Sequence, residues 1–158
     1  MDIVNFVELS EQISTSGQPA AADFQTIAAQ RFTTIINLAL PTSDRALPDE
    51  GAIVTGLGMN YVHIPVKWEA PKVEQFRRFA GIVRQLEDER VWVHCVMNMR
   101  VSCFMYLYRR HELGWPEAEA RRHMTPIWDP GKYPAWAEFV DHIASDYVAR
   151  ASSGTPNV

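Results

Sequence analysis

Three short runs, residues 33–38 (TTIINL), 61–66 (YVHIPV) and 91–95 (VWVHC), are almost continuously apolar and rich in β-branched side chains. A strand with one wet face alternates apolar and polar residues, whereas a strand covered on both faces reads as an unbroken apolar run. Between and after these runs the apolar residues fall at helical spacing. Val73, Phe76, Ala80, Val83 and Leu86 form one stripe, and Trp136, Phe139, Val140, Ile143 and Tyr147 another. Residues 102–113, apolar over their first half, and 116–124, opening on Pro116, predict two further helices, the first deeply buried. Strands that alternate with helices predict an α/β domain with a mainly parallel sheet between helical layers. In such sheets the functional loops gather at the carboxyl ends of the strands, and the run 91–95 ends at such a point.

A chain of 158 residues suits one domain, placed here at residues 1–150. The small, polar stretch 151–158 (ASSGTPNV) predicts a disordered tail, with the fold ending near Tyr147. Fifteen basic against nineteen acidic side chains give a net charge of -4, which argues against nucleic acid or an anionic membrane as partner. No apolar stretch approaches the about 18–20 residues needed to span a bilayer. The opening MDIVNFVELSEQ lacks the basic and apolar regions of a secretory leader, so a cytoplasmic location is the expectation. Two cysteines, Cys95 and Cys103, make no disulfide framework and raise instead the question of thiol reactivity.

The answer lies in His94-Cys95-Val96-Met97-Asn98-Met99-Arg100-Val101-Ser102, between a strand and a buried helix. A strand, a tight loop and a helix N-terminus make an anion site, because successive backbone N–H groups converge there and the helix dipole adds positive charge. That field favours the thiolate of a cysteine at the loop's start, and Arg100 at the far end suits a two-point grip on an oxyanion.

This string resembles the signature of the cysteine-dependent protein tyrosine and dual-specificity phosphatases, His-Cys followed by an arginine and a Ser or Thr. Four residues rather than five separate Cys95 from Arg100, as in a bacterial phosphatase-like branch with a Cys-x4-Arg loop. Ser16-Gly17-Gln18-Pro19, Ile36-Asn37-Leu38 and Tyr61-Val62-His63-Ile64-Pro65-Val66 resemble that branch in order and rough spacing. The resemblance implies a dual-specificity-phosphatase-like three-layer α/β domain, its central, mainly parallel sheet flanked by helices. It implies hydrolysis of a phosphate monoester through a cysteinyl-phosphate, with a phosphorylated protein or small molecule as partner and no cofactor or metal. Cys95 would be the nucleophile and Arg100 the clamp. Val96, Met97, Asn98 and Met99 would bind substrate, and Ser102 would steady the leaving thiolate. Asn98 stands where relatives carry a glycine in left-handed conformation, which Asn adopts best among the other residues.

For the general acid the family's loop after YVHIPV carries an aspartate; here that loop is Lys67-Trp68-Glu69-Ala70-Pro71, and Glu69, its one carboxylic acid, is assigned the role. Asp129, in an Asp-Pro loop, is the rival, and both also read as solvated loop residues. Two other functions stay open: a rhodanese-like sulfurtransferase, whose active loop also has six residues, and a phosphate-binding module without turnover. Bland readings fit the remaining candidates. Cys103, one residue inside an apolar helix, reads as core; His94 as a hydrogen-bonding support of the loop; Met97, Met99 and Met105 as lining or core rather than metal ligands. Arg109, Arg110 and His111 complement a helix C-terminus, and Trp68, Trp128 and Trp136 line a pocket rim or fill the core.

Overall fold

Ile35 and Ile36 are chain neighbours and both fully buried, yet they belong to different cores. They sit on a strand whose two faces are both covered, as the unbroken apolar run requires. The same holds for Trp92, which points into one core while Val91 and Val93 point into the other. The computed structural model describes residues 1–154. It has five strands, β1 (Val7–Glu8), β2 (Ile13–Ser16), β3 (Thr34–Asn37), β4 (Asn60–His63) and β5 (Val91–His94), in the order β1-β2-β5-β3-β4. Only the β1–β2 pair is antiparallel.

Helices α1 (Asp23–Ala29) and α2 (Glu50–Gly56) cover one face through Phe24, Ile27 and Val54. The other face carries α3 (Val73–Gln85), α4 (Met99–Leu107), α5 (Glu117–Arg121) and α6 (Pro134–Ser152). This is the three-layer α/β domain expected. Phe104 at the centre of the larger core stacks on Phe139 and meets Phe76 and Phe79 edge-on, with ring centroids 5.4–5.7 Å apart. The buried helix expected at 102–113 begins earlier, at Met99, and passes into a π-helical turn over Tyr108–Glu112. The carboxyl-terminal helix continues five residues beyond Tyr147, through Ala151 and Ser152; residues 155–158 of the expected tail lie outside the described residues. Among the described residues, no helix is long and apolar enough to cross a membrane.

The parallel registers set Ser16, His94, Asn37 and His63 in one row at the carboxyl edge of the sheet. The four strings singled out in the sequence therefore end side by side, around the central strand β5.

Candidate active site

The loop that follows β5 is built from outside inwards. Val96 O accepts from Gln18 N (3.0 Å), and Met97 O accepts from the Asn5 side-chain amide (2.9 Å). A trans peptide carries its N–H opposite its C=O, so these two braces turn the N–H groups of the same peptides to the other side of the loop. Gly17 makes the approach possible: a Cβ there would lie 2.4 Å from Val96 O. Asn98 caps α4 with φ 63°, the left-handed conformation expected of it, and its side-chain amide donates to Asn5 O (2.7 Å) and Thr15 Oγ1 (3.0 Å). The first turn of α4 adds N–H groups with no acceptor inside the helix.

Cys95, Val96, Met97, Met99 and Arg100 line one cavity of about 330 Å³, together with Trp68, Ser43 and Asp44. Arg100 is 8% exposed, its Nε is buried without a partner, and its guanidinium carbon lies 5.7 Å from the centroid of the Trp68 ring. A buried guanidinium N–H left without an acceptor is unfavourable until an anion supplies one. Of the predicted loop and helix residues, Asn98, turned to Asn5 and Thr15, and Ser102 do not line this cavity. The Ser102 hydroxyl donates to Met99 O and accepts from Trp128 Nε1, both at 3.0 Å, so it is committed to the helix turn and the indole. Cys103 is fully buried, and burial pushes its thiol well above the ordinary value, with the Arg121 charge opposing weakly; its place is the core.

Behind the loop lies a residue that sequence reading missed. Glu50, at the start of α2 and 3% exposed, receives His94 Nε2 (2.9 Å), Tyr61 OH (2.7 Å) and Asn37 Nδ2 (3.0 Å) on Oε2, and Gln18 Nε2 on Oε1. Burial works against its charged form, but the hydrogen bond and charge of His94, with help from Gln18 and Tyr61, hold the carboxyl below its ordinary pKa. The strings around Gln18, Asn37 and Tyr61 thus have one physical role in common, since each supplies a donor to the carboxylate that anchors His94. His94 Nδ1 in turn lies 3.3 Å from Cys95 O.

The two carboxylates proposed from sequence as acids stand apart from this cavity. Glu69 is exposed and lines a separate recess with Ala135, Glu138 and His142. Asp129 is exposed and accepts from Gly131 N (2.9 Å), capping a 3₁₀ turn. The loop after β4 instead sends Trp68 into the cavity. Its carbonyl accepts from Trp136 Nε1 (2.9 Å), and its ring centroid lies 5.3–5.4 Å from those of Trp128, Tyr133 and Trp136. Of the three tryptophans, Trp136 fills the core and Trp68 lines the cavity, and the buried Trp128 packs against both, its ring centroid 5.3 and 5.4 Å from theirs.

Comparison with known proteins agrees with this geometry. A family described as DSP-PTPase phosphatase fused to NAD+ kinase matches residues 5–123. A DUF442 protein from Shewanella putrefaciens CN-32, of known crystal structure, is 35% identical, with a TM-score of 0.82 over 92% of each chain. The β-lactamase hydrolase-like protein of Agrobacterium fabrum is 30% identical over 155 residues. That match takes in 96% of this chain, which spans about a third of the length of that relative (33%). P. aeruginosa TpbA, in a complex with pTyr, shares the fold at 16% identity, with a TM-score of 0.71 over 94% of this chain and 91% of its own. The chain belongs to the DSP-PTPase phosphatases, within the tyrosine and dual-specificity phosphatase superfamily of phosphoric monoester hydrolases.

Proposed function

We propose that this chain hydrolyses phosphate monoesters through a cysteinyl-phosphate intermediate on the loop from His94 to Arg100. Cys95 Sγ, as thiolate, attacks phosphorus while the P–O bond to the leaving group breaks. Arg100 holds two equatorial oxygens in a planar grip, and the N–H groups of Val96 to Arg100 take up the developing charge. A proton goes to the leaving oxygen. Water then attacks the cysteinyl-phosphate, the S–P bond breaks, and inorganic phosphate departs with the thiolate restored. What supports this reading most is one juxtaposition: Cys95 and the unpartnered Nε of buried Arg100 share a single cavity. The outward-pinned carbonyls of Val96 and Met97 support the amide cradle, and membership of the phosphatase family favours hydrolysis over sulfur transfer.

The rim formed by Trp68, Val96, Met97 and Met99 is apolar, and Met97 is 41% exposed there. It suits a monoester whose leaving group is aromatic or apolar, carried by a protein or a small molecule. Phosphotyrosine, the ligand of the P. aeruginosa TpbA complex, is a fitting first probe. The direct test is rapid alkaline quench of the wild-type chain with a ³²P-labelled aryl phosphate. Label bound to the protein, retained in alkali, released by iodine and mapped to Cys95, is expected, and Cys95→Ser should abolish both label and turnover. Turnover that survives in Cys95→Ser, or transfer of sulfur from thiosulfate to cyanide without any phosphate release, refutes the reading.

A further inference from the structure

The cysteinyl-phosphate route, on which this inference rests, leaves the departing oxygen in need of a proton, and neither Glu69 nor Asp129 lines the cavity above Cys95. We propose that Asp44, on the loop between β3 and α2, is the general acid and, in the second step, the general base.

Asp44 is the one carboxylic acid among the described residues lining the cavity that also holds Cys95 and Arg100. It is exposed, and among the described residues its carboxyl has no hydrogen bond or ion pair, so it is free to take a proton from water and pass it on. The loop that bears it is not slack. Ala39 N donates to Asn37 Oδ1 (2.8 Å), Leu40 N to Ser43 Oγ (2.9 Å), and Ser43 N returns to Leu40 O (3.0 Å). Arg45 then takes a left-handed conformation, φ 62°, and reverses the chain immediately after Asp44. This tight turn starts from Asn37, whose register partner is His94, so the acid's loop and the nucleophile's loop spring from neighbouring strand ends.

The other carboxylates near the site are excluded by their surroundings. Trp68 occupies the cavity wall where the loop after β4 arrives and is fixed by Trp136, while the next residue, Glu69, faces the recess beside Glu138 and His142. Asp129 is occupied in capping its turn. Glu50 lies behind the sheet edge with four donors on its two oxygens. In the first step the Asp44 carboxyl gives its proton to the ester oxygen as the P–O bond breaks and the S–P bond forms. In the second, the Asp44 carboxylate takes a proton from the water that attacks phosphorus as the S–P bond breaks. The sum is ester plus water giving alcohol plus phosphate, with both side chains returned to their starting states.

The test compares Asp44→Asn, Glu69→Gln and Asp129→Asn on phenyl phosphate, a poor leaving group, and 2,4-dinitrophenyl phosphate, which leaves without a proton. Asp44→Asn should lose on the order of a hundredfold in kcat on phenyl phosphate, less than about tenfold on the dinitrophenyl ester, and one limb of the pH–rate profile. The other two variants should keep wild-type rates on both. Equal loss on the two substrates, unchanged turnover in Asp44→Asn, or a leaving-group-dependent loss in Glu69→Gln or Asp129→Asn overturns the assignment. Cys95→Ser separates the two levels: if it is inactive while Asp44→Asn is unaffected, only the acid is wrong; if it turns over, or if the wild type does not, the cysteinyl-phosphate reading falls as well.

Discussion

Replacing Glu50 by glutamine removes one charge and one acceptor from a group that four donors share. The Glu50 carboxylate takes His94, Tyr61 and Asn37 on one oxygen and Gln18 on the other. In glutamine an NH₂ replaces one carboxylate oxygen and sets donor against donor at a buried site, a loss of about 1–3 kcal/mol. The bond to His94 also changes from charge-assisted to neutral, a further ~1 kcal/mol. The Gln18 amide can rotate to meet the new NH₂ only by giving up its bond to Pro19 O (3.1 Å), so little is recovered on that side. The sum is about 3 kcal/mol, which at this chain length lowers Tm by roughly 6–12 °C. Because the folded carboxyl is held below its ordinary pKa, its contribution is fully present above the unfolded value of about 4.3 and fades as pH falls through the folded one. Glu50→Gln lacks that term, so the gap in Tm between wild type and variant should narrow below about pH 4. Thermal unfolding followed by circular dichroism from pH 7 to pH 3 measures both. A variant within about 2 °C of wild type at pH 7, or a gap that stays constant to pH 3, refutes the accounting.

Two shorter expectations concern the loop itself. Arg100→Lys keeps the charge but not the planar fork, and loss of a transition-state contact worth about 3 kcal/mol should lower kcat/KM on p-nitrophenyl phosphate roughly a hundredfold at unchanged Tm; wild-type turnover would remove Arg100 from the reaction. Gly17→Ala forces a Cβ against Val96 O and Val4 O, so either the 16–18 segment or the loop must move; a destabilisation of about 1–3 kcal/mol with a larger fall in turnover is expected, and a variant with wild-type Tm and rate would show that the close approach is dispensable.

The strands β3 and β5 were legible because burial on both faces sets Ile35 and Ile36, and Val91, Trp92 and Val93, in apolar runs; the edge strand β4, only partly buried, was legible because its run continues into the buried Ile64 and Val66. β2 was not, for the opposite reason. Its Ser14, Thr15 and Ser16 are buried although polar, and two of them are spoken for: Ser16 Oγ accepts from Trp92 Nε1 and Thr15 Oγ1 from Asn98. Hydropathy cannot register a buried strand that is held by hydrogen bonds. The helices α1 and α2 are each seven residues long, too short for a periodic stripe to stand out. Within the site, Cys95 to Arg100 could be read because the group is contiguous. Asp44 and Glu50 arrive from a loop and a helix about fifty residues earlier, delivered by the parallel crossover after β3, and nothing in their local sequence marks them. Glu69 lies on the expected loop, but the sequence could not say that its neighbour Trp68 would take the cavity wall.

The pinned carbonyls also say when in folding this site comes into being. The partners that shape the loop are far away along the chain: Asn5 is 92 and 93 positions from Met97 and Asn98, and Thr15 is 83 from Asn98. Contacts of such separation form late, because the entropy of closing so large a loop of chain is lost before any bond repays it. A nascent or partly collapsed chain therefore carries Cys95 and Arg100 close together in sequence, without the oriented amides that the folded loop sets between them. The braced loop is complete only when the first strand pair docks beside β5, so if the proposed anion site is there, recovery of phosphate binding during refolding should lag behind recovery of helical structure.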